Sequence, residues 1–292
     1  MNSNTKQILI FITLVIGLSY LVFWGPIVFF KLRAANLVEG KIYNITAFIL
    51  FIIGGFVPSI LGIILTSIFE GKEGIIKLFL SARNIKIGFS SFMIIIAYVI
   101  ILSILQLILY TSLGGSFDYS QFIKQLPTAL PLIIAGPLSE EFGWRGFLQK
   151  RVNEKLSATS GSIIIGIVWA LWHLPLFYMI GTSQHEFNIP FFPFMISIIS
   201  STFVYTYIYI KSNGSLFTAI LLHWIFTYIF QVIASQISRT TIYNLLECIP
   251  ALMIGFVFMI LLNQQRQRLL LSKPGQSGNR IPPERDKPPY GA

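Results

Sequence analysis

Two stretches of this chain, Ile8–Phe30 and Phe89–Leu113, each run for more than 20 residues without a single charged side chain. A helix rises about 1.5 Å per residue, so roughly 20 apolar residues cross the hydrocarbon core of a bilayer. No water is present there to satisfy backbone N–H and C=O groups, and a run of this length meets that demand as a helix. Only 11% of the 292 residues are charged and 54% are hydrophobic, against about 25% charged in soluble domains. The chain reads as a membrane protein. Its formal charge of +10 then bears on topology and on anionic head groups. No soluble segment interleaves basic and aromatic residues, so membrane lipids rather than nucleic acid are the expected partners. The first run is too long for a signal-peptide core and ends without a small-x-small cleavage pattern, so it is expected to persist as a helix. The single cysteine, Cys248, excludes an intramolecular disulfide and a cysteine metal cluster, and is expected to be a buried bystander.

Eight spanning segments can be drawn, at about 8–30, 43–69, 88–113, 127–149, 161–181, 190–210, 216–236 and 241–263. The second holds Gly54, Gly55 and Pro58, which predicts a kink or close helix packing. The fourth holds Pro127, Pro131, Gly136 and Pro137 together with three charges, which predicts a bent, interrupted helix whose freed carbonyls find partners on neighbours. Between the second and third segments, Gly71–Lys86 mixes charges with Ile75, Ile76, Leu78, Phe79 and Leu80, the pattern of an amphipathic helix at the membrane interface. The expectation is an all-α polytopic bundle of about eight transmembrane helices over residues 1–264, with a polar cavity within the membrane. Residues 265–292 are expected to form a disordered, basic and proline-rich cytoplasmic tail.

With eight spans both termini share one side. That side collects twelve basic residues, Lys6, Lys72, Lys77, Arg83, Lys86, Lys150, Arg151, Lys155, Lys211, Arg266, Arg268 and Lys273; the other collects five, Lys31, Arg33, Lys41, Lys124 and Arg239. The positive-inside rule makes both termini cytoplasmic.

The stretch LSEEFGWRGFLQ, residues 138–149, places Glu140, Glu141 and Arg145 inside the fourth apolar segment. Ionisable groups at membrane depth cost several kcal/mol and face a partner, a cavity or a proton path. Glu140 lies about 15 Å along a helix from Lys150, His173 about 20 Å from Ser160, and His223 about 18 Å from Lys211. Three helices thus bring one carboxylate and two imidazoles to similar depth. Glu141 and Arg145 are spaced i, i+4 and can form an ion pair. Glu140 points about 100° away, with Trp144 rather than a cation at i+4. This leaves Glu140 as the reactive group and Glu141–Arg145 as its support. A glutamate beside a histidine can take a proton from water, and a second histidine can donate to the oxyanion of an attacked carbonyl. One glutamate and two histidines are also a ligand set of catalytic zinc, although the H-E-x-x-H pattern is absent. The bland readings stand beside these. Glu141–Arg145 can be a structural pin, Glu140 a neutral carboxyl bonded between helices, His173 a donor to a carbonyl freed near Pro175, and His223 a packing histidine. His185 falls in a solvated loop. Trp169, Trp172 and Trp224 are expected to pack around the cavity.

The segment EEFGWR, residues 140–145, resembles the E-E-x-x-x-R motif of the CPBP intramembrane proteases, a group that includes type II CAAX prenyl endopeptidases and bacteriocin-processing and immunity proteins. WALWHLP, 169–175, is similar to the second motif of that family, F-x-x-x-H, with Trp169 in place of Phe and His173 retained. LLHWIFT, 221–227, resembles the third, H-x-x-x-N, with His223 retained and Thr227 where Asn is usual. Motif order and spacing fit over 127–230.

The resemblance implies an intramembrane endopeptidase of a bacterial cell membrane that hydrolyses a peptide bond of a membrane-embedded or lipidated peptide or protein. Glu140 and His173 would activate water, His223 and position 227 would stabilise the oxyanion, and Glu141 and Arg145 would support them. A metal-free glutamate mechanism is preferred; the alternative is a divalent metal such as zinc on Glu140, His173 and His223. Threonine offers one hydroxyl donor on a stiff stem where asparagine offers two amide donors with longer reach. That substitution keeps a second reading open, a non-catalytic immunity or membrane interaction protein with the same fold. A proton-coupled transporter is the third, since intramembrane Glu and His also build proton relays, although no inverted repeat relates the two halves.

Overall fold

A computed structural model describes residues 3–36, 40–125, 127, 133–234, 237 and 239–272. Among them six helices are long and apolar enough to cross a membrane: α1 (Asn4–Phe29), α2 (Ile45–Arg83), α3 (Phe89–Ser112), α6 (Phe191–Lys211), α7 (Leu216–Ile233) and α8 (Thr241–Gln265). The other two predicted spans take different forms, α4 (134–153) and α5 (Ala158–Trp172). A two-residue antiparallel pairing, Ala35–Asn36 with Lys41–Ile42, is the β-structure present among the described residues. The all-α polytopic bundle expected from the apolar runs is borne out. Ile100, Ile101, Ile104 and Ile108 of α3 remain exposed on its outer surface, an apolar band that only lipid would cover.

The departures from the predicted segments have local causes. The fifth predicted span, 161–181, stops as an α-helix at Trp172 and continues as a short 3-10 turn, Leu174–Phe177. Pro175 supplies no N–H and disfavours helical backbone in the residue before it, so His173 becomes the C-terminal cap of α5. The fourth is interrupted as expected. It runs through wide π-type turns at Ile134–Leu138 and Phe142–Gln149, separated by the α-turn Ser139–Glu141. Gly136 holds φ +121, a backbone state open to glycine, and the Ser139 hydroxyl both accepts from the Gly136 N–H and donates to its carbonyl. Pro131 lies outside the described residues. The stretch expected as an interfacial helix is helical to Arg83 but continuous with α2, the chain turning at Gly71 (φ 63°, ψ −159°). Its buried Leu78 faces α4, where a side chain on Gly146 would meet it, and a side chain on the buried Gly74 would strike Glu70 of its own helix. The last helix runs on to Ser272, past the boundary at 264, and the expected tail from Lys273 onward lies outside the described residues.

Small residues set how closely α4 is held. In a bilayer, helices associate through packing rather than through hydrophobic exclusion, and glycine allows backbones to approach. A Cβ on Gly62 of α2 would come within 2.5 Å of the Phe142 carbonyl oxygen and 2.7 Å of Gly143 Cα, and one on Gly143 would strike the Pro58 carbonyl. Of the glycines flagged in the second segment, Gly54 instead accommodates the Trp24 ring. Gly143→Val is therefore expected to destabilise the bundle by at least about 1–3 kcal/mol through overpacking against unyielding backbone, read as a lower unfolding midpoint in detergent. An unchanged midpoint would mean that α2 and α4 can separate at little cost.

Polar ties fix the same element at its C-terminal end and bind its neighbours to one another. Glu70 accepts from Lys150 and Arg151, each at 2.8 Å, and Arg151 Nε donates to Gln7 at 2.6 Å, joining α1, α2 and α4. Ser162 of α5 donates to Thr206 of α6 at 2.8 Å. Near the middle of the bundle, Trp24, Trp144 and Trp172 pack ring to ring, and Trp172 Nε1 donates to the buried Ser19 hydroxyl at 2.8 Å. That contact pins the end of α5, and with it His173.

Candidate functional site

Glu140 is buried in the turn Ser139–Glu141, and its Oε2 accepts two indole N–H groups, Trp169 Nε1 at 2.6 Å and Trp144 Nε1 at 3.2 Å. Trp144 is the i+4 neighbour, so the position without a cation carries an indole donor. Trp169 arrives from α5 and was expected only to pack. It is the residue around which the site is built. Its ring lies 5.6 Å from that of His223 and 6.0 Å from that of His173, its face lies under Arg145 at 4.4 Å, and its carbonyl is 2.8 Å from His173 Nδ1. The family pattern has phenylalanine here, which would supply the ring and no donor.

The predicted pair is present. Arg145 Nη1 donates to Glu141 Oε1 at 3.0 Å, both side chains being 0% exposed. His223 Nδ1 lies 2.7 Å from the same oxygen. The i, i+4 spacing foretold the first contact; the second was not legible, because depth along three helices says nothing of which way each side chain turns. Arg145 is also packed on the rings of Trp169 and Tyr205, at 4.4 and 4.0 Å, where cation–π attraction replaces part of its lost hydration. Glu141 Oε2, Arg145 Nε and Nη2, and the Tyr205 hydroxyl are buried without a hydrogen-bond partner among the described residues.

Both histidines have readable tautomers. Carbonyls and carboxylates only accept, so Nδ1 carries the proton in His173, which faces the Trp169 carbonyl, and in His223, which faces the Arg145-paired Glu141. In the neutral form each presents its Nε2 lone pair. A side chain on Gly136 would lie 3.3 Å from His223 Nε2, so the positive-φ glycine keeps that nitrogen open.

The structure brings Glu140, Glu141, Arg145 and His223 into one buried cluster, and attaches His173 to it through Trp169. No hydrogen bond joins Glu140 to either imidazole, or Thr227 to the cluster, among the described residues; Thr227 stands half-buried one turn beyond His223. His185 contacts Glu186 in a surface turn, 3.2 Å away. Two oriented imidazoles resemble metal ligands with their outer hydrogen bonds in place. The rest does not fit. Glu140 is committed to two indoles, the Trp169 ring neighbours both histidines, and no group of three or more His, Cys, Asp or Glu among the described residues is placed to hold a metal ion.

Trp169→Phe, which installs the family's residue, is expected to cost about 1.5–3 kcal/mol, the range for a hydrogen bond to a charged group. The reading is the unfolding midpoint of the purified protein. A midpoint equal to wild type would mean that Trp144 alone suffices to hold Glu140.

Residues 122–229 match the family model described as type II CAAX prenyl endopeptidase Rce1-like. The chain is also similar to CAAX prenyl protease 2 of Methanococcus maripaludis, with 31% identity over 134 residues, which is 44% of this chain and 49% of the relative. The chain thus spans about half the length of the curated relative it matches. The resemblance of the three motifs to the CPBP proteases is borne out over the segment that carries Glu140, Glu141, Arg145, His173 and His223.

Proposed function

We propose that this multi-pass membrane protein is a CAAX-type intramembrane endopeptidase that hydrolyses a peptide bond of a membrane-embedded or lipidated peptide or protein. One observation carries the reading: within the segment similar to prenyl endopeptidases, a buried glutamate is aimed by two indole N–H groups beside imidazoles with open Nε2 atoms. In this reading Glu140 takes a proton from water while His173 Nε2 accepts the second water hydrogen and orients the attack. The oxygen adds to the scissile carbonyl, the C–N bond breaks, and the proton held by Glu140 passes to the leaving amine. Glu141 and Arg145 hold the His223 ring in place. A neutral His223 in its present tautomer accepts at Nε2 rather than donates, which argues against the oxyanion role implied by the third motif. No metal is invoked, since the donor set does not converge on one. Both termini are taken as cytoplasmic on the count of basic residues.

New protein termini in the membrane fraction of cells making the wild type, compared with cells making Glu140→Gln at matched levels, test the reading. Termini found only with the wild type support a protease and identify its substrate. Identical sets from two folded proteins overturn it. That outcome favours the non-catalytic interaction protein, for which Thr227, standing outside the hydrogen-bonded cluster, is the specific observation.

A further inference from the structure

The proposed hydrolysis needs a hydrogen-bond donor for the oxygen that becomes negative when water adds to the carbonyl. The site has few to spare. The Nδ1 protons of His173 and His223 are engaged, both indole N–H groups hold Glu140, and Thr227 carries no bond to the cluster among the described residues. Tyr205 of α6 stands in the same cluster. It is 2% exposed, its ring is 6.0 Å from that of His223 at a near-perpendicular 87°, and 5.6 Å from that of Trp169. Its hydroxyl has no partner among the described residues. Two other buried tyrosines behave as expected of the type, Tyr98 donating to Ser201 and Tyr243 to Gln106, each at 3.1 Å. A buried hydroxyl without a partner is costly and calls for an explanation. The Arg145–Glu141 ion pair lies against Tyr205. The Arg145 guanidinium rests on its ring at 4.0 Å and holds the phenol in place. Its Nη1 is committed to Glu141, while its Nε and Nη2 have no hydrogen-bond partner among the described residues.

We infer that the Tyr205 hydroxyl donates the hydrogen bond to the developing oxyanion, in the place of the asparagine that position 227 lacks. The inference rests on the endopeptidase reading. In the step itself, water oxygen bonds to the carbonyl carbon, the water proton goes to Glu140, and the carbonyl π pair moves onto oxygen. Tyr205 keeps its proton and shares it as a hydrogen bond until the C–N bond breaks and the carbonyl re-forms.

The test uses the purified full chain and a fluorogenic farnesylated peptide ending in Cys-aliphatic-aliphatic-X. Tyr205→Phe keeps the ring under Arg145 and removes only the orphan hydroxyl. Its kcat is expected to fall by about 10²–10³ with KM little changed and a thermal midpoint equal to or above wild type, a combination that a structural tyrosine would not give. Adding Thr227→Asn is expected to recover part of the lost kcat. Wild-type kcat in Tyr205→Phe beside an inactive Glu140→Gln overturns the inference and leaves the endopeptidase reading standing. A lowered midpoint in Tyr205→Phe, with no recovery on adding Thr227→Asn, assigns the hydroxyl a packing role and overturns it too. Equal signal from wild type and Glu140→Gln removes both at once.

Discussion

Glu140→Gln is expected to lower the rate of peptide hydrolysis by about 10²–10⁴, the contribution of a positioned general base, while leaving the protein folded. The two expectations come from the same geometry. Glutamine has the shape of glutamate, and its amide oxygen can still accept from Trp169 and Trp144, whose N–H groups both point at one carboxyl oxygen. The packing around residue 140 therefore has no reason to change. What glutamine cannot do is take a proton from water. The measurement is kcat on a prenylated peptide together with the unfolding midpoint of the same preparation. Wild-type turnover in Glu140→Gln would remove the glutamate from the chemistry and, with it, the glutamate-based endopeptidase reading. Lost turnover with a collapsed midpoint would instead make Glu140 a packing element.

Much of this site was legible in the chain because it depends on local spacing. Glu141 and Arg145 meet because residues four apart on a helix share a face, and Glu140 is set apart by the 100° between successive residues. Trp144 at i+4 from Glu140 is more than the lack of a cation, since its indole is an N–H donor. The same property distinguishes Trp169, where the departure from the family's phenylalanine is itself the signal. Pro175, two residues after His173, marks the end of α5 and the shortening of the predicted span. Other features had no local signature. Hydropathy gives depth and not azimuth, so it could not tell that His223 turns toward Glu141. The backbone approach of Gly62 to Gly143 is a contact between residues about 80 positions apart. The bundle was readable for the opposite reason: long uncharged runs have almost one way to satisfy their backbone in lipid.

Glu141→Ala is expected to be the most destabilising single change among the site residues, at about 3–5 kcal/mol. The cost comes from what it leaves behind. Arg145 is fully buried, and Glu141 is its one hydrogen-bonded counter-charge among the described residues. Cation–π contact with Trp169 and Tyr205 offsets only about 2 kcal/mol of that loss. The double variant Glu141→Leu, Arg145→Met removes the stranded charge together with its partner, and a buried pair replaced by apolar side chains of similar volume is often neutral or stabilising. Its midpoint is therefore expected to return most of the way to wild type. Activity is not expected to return with it, because the Tyr205 ring loses the guanidinium 4.0 Å away that holds it. Unfolding midpoints and turnover for the two variants separate stability from chemistry within one pair of side chains. If the single variant is as stable as wild type, the guanidinium has another way to be satisfied and the pair is not the pin of α4. If the double variant turns over substrate normally, the Glu141–His223 contact has no part in catalysis, and Glu140 with His173 must suffice.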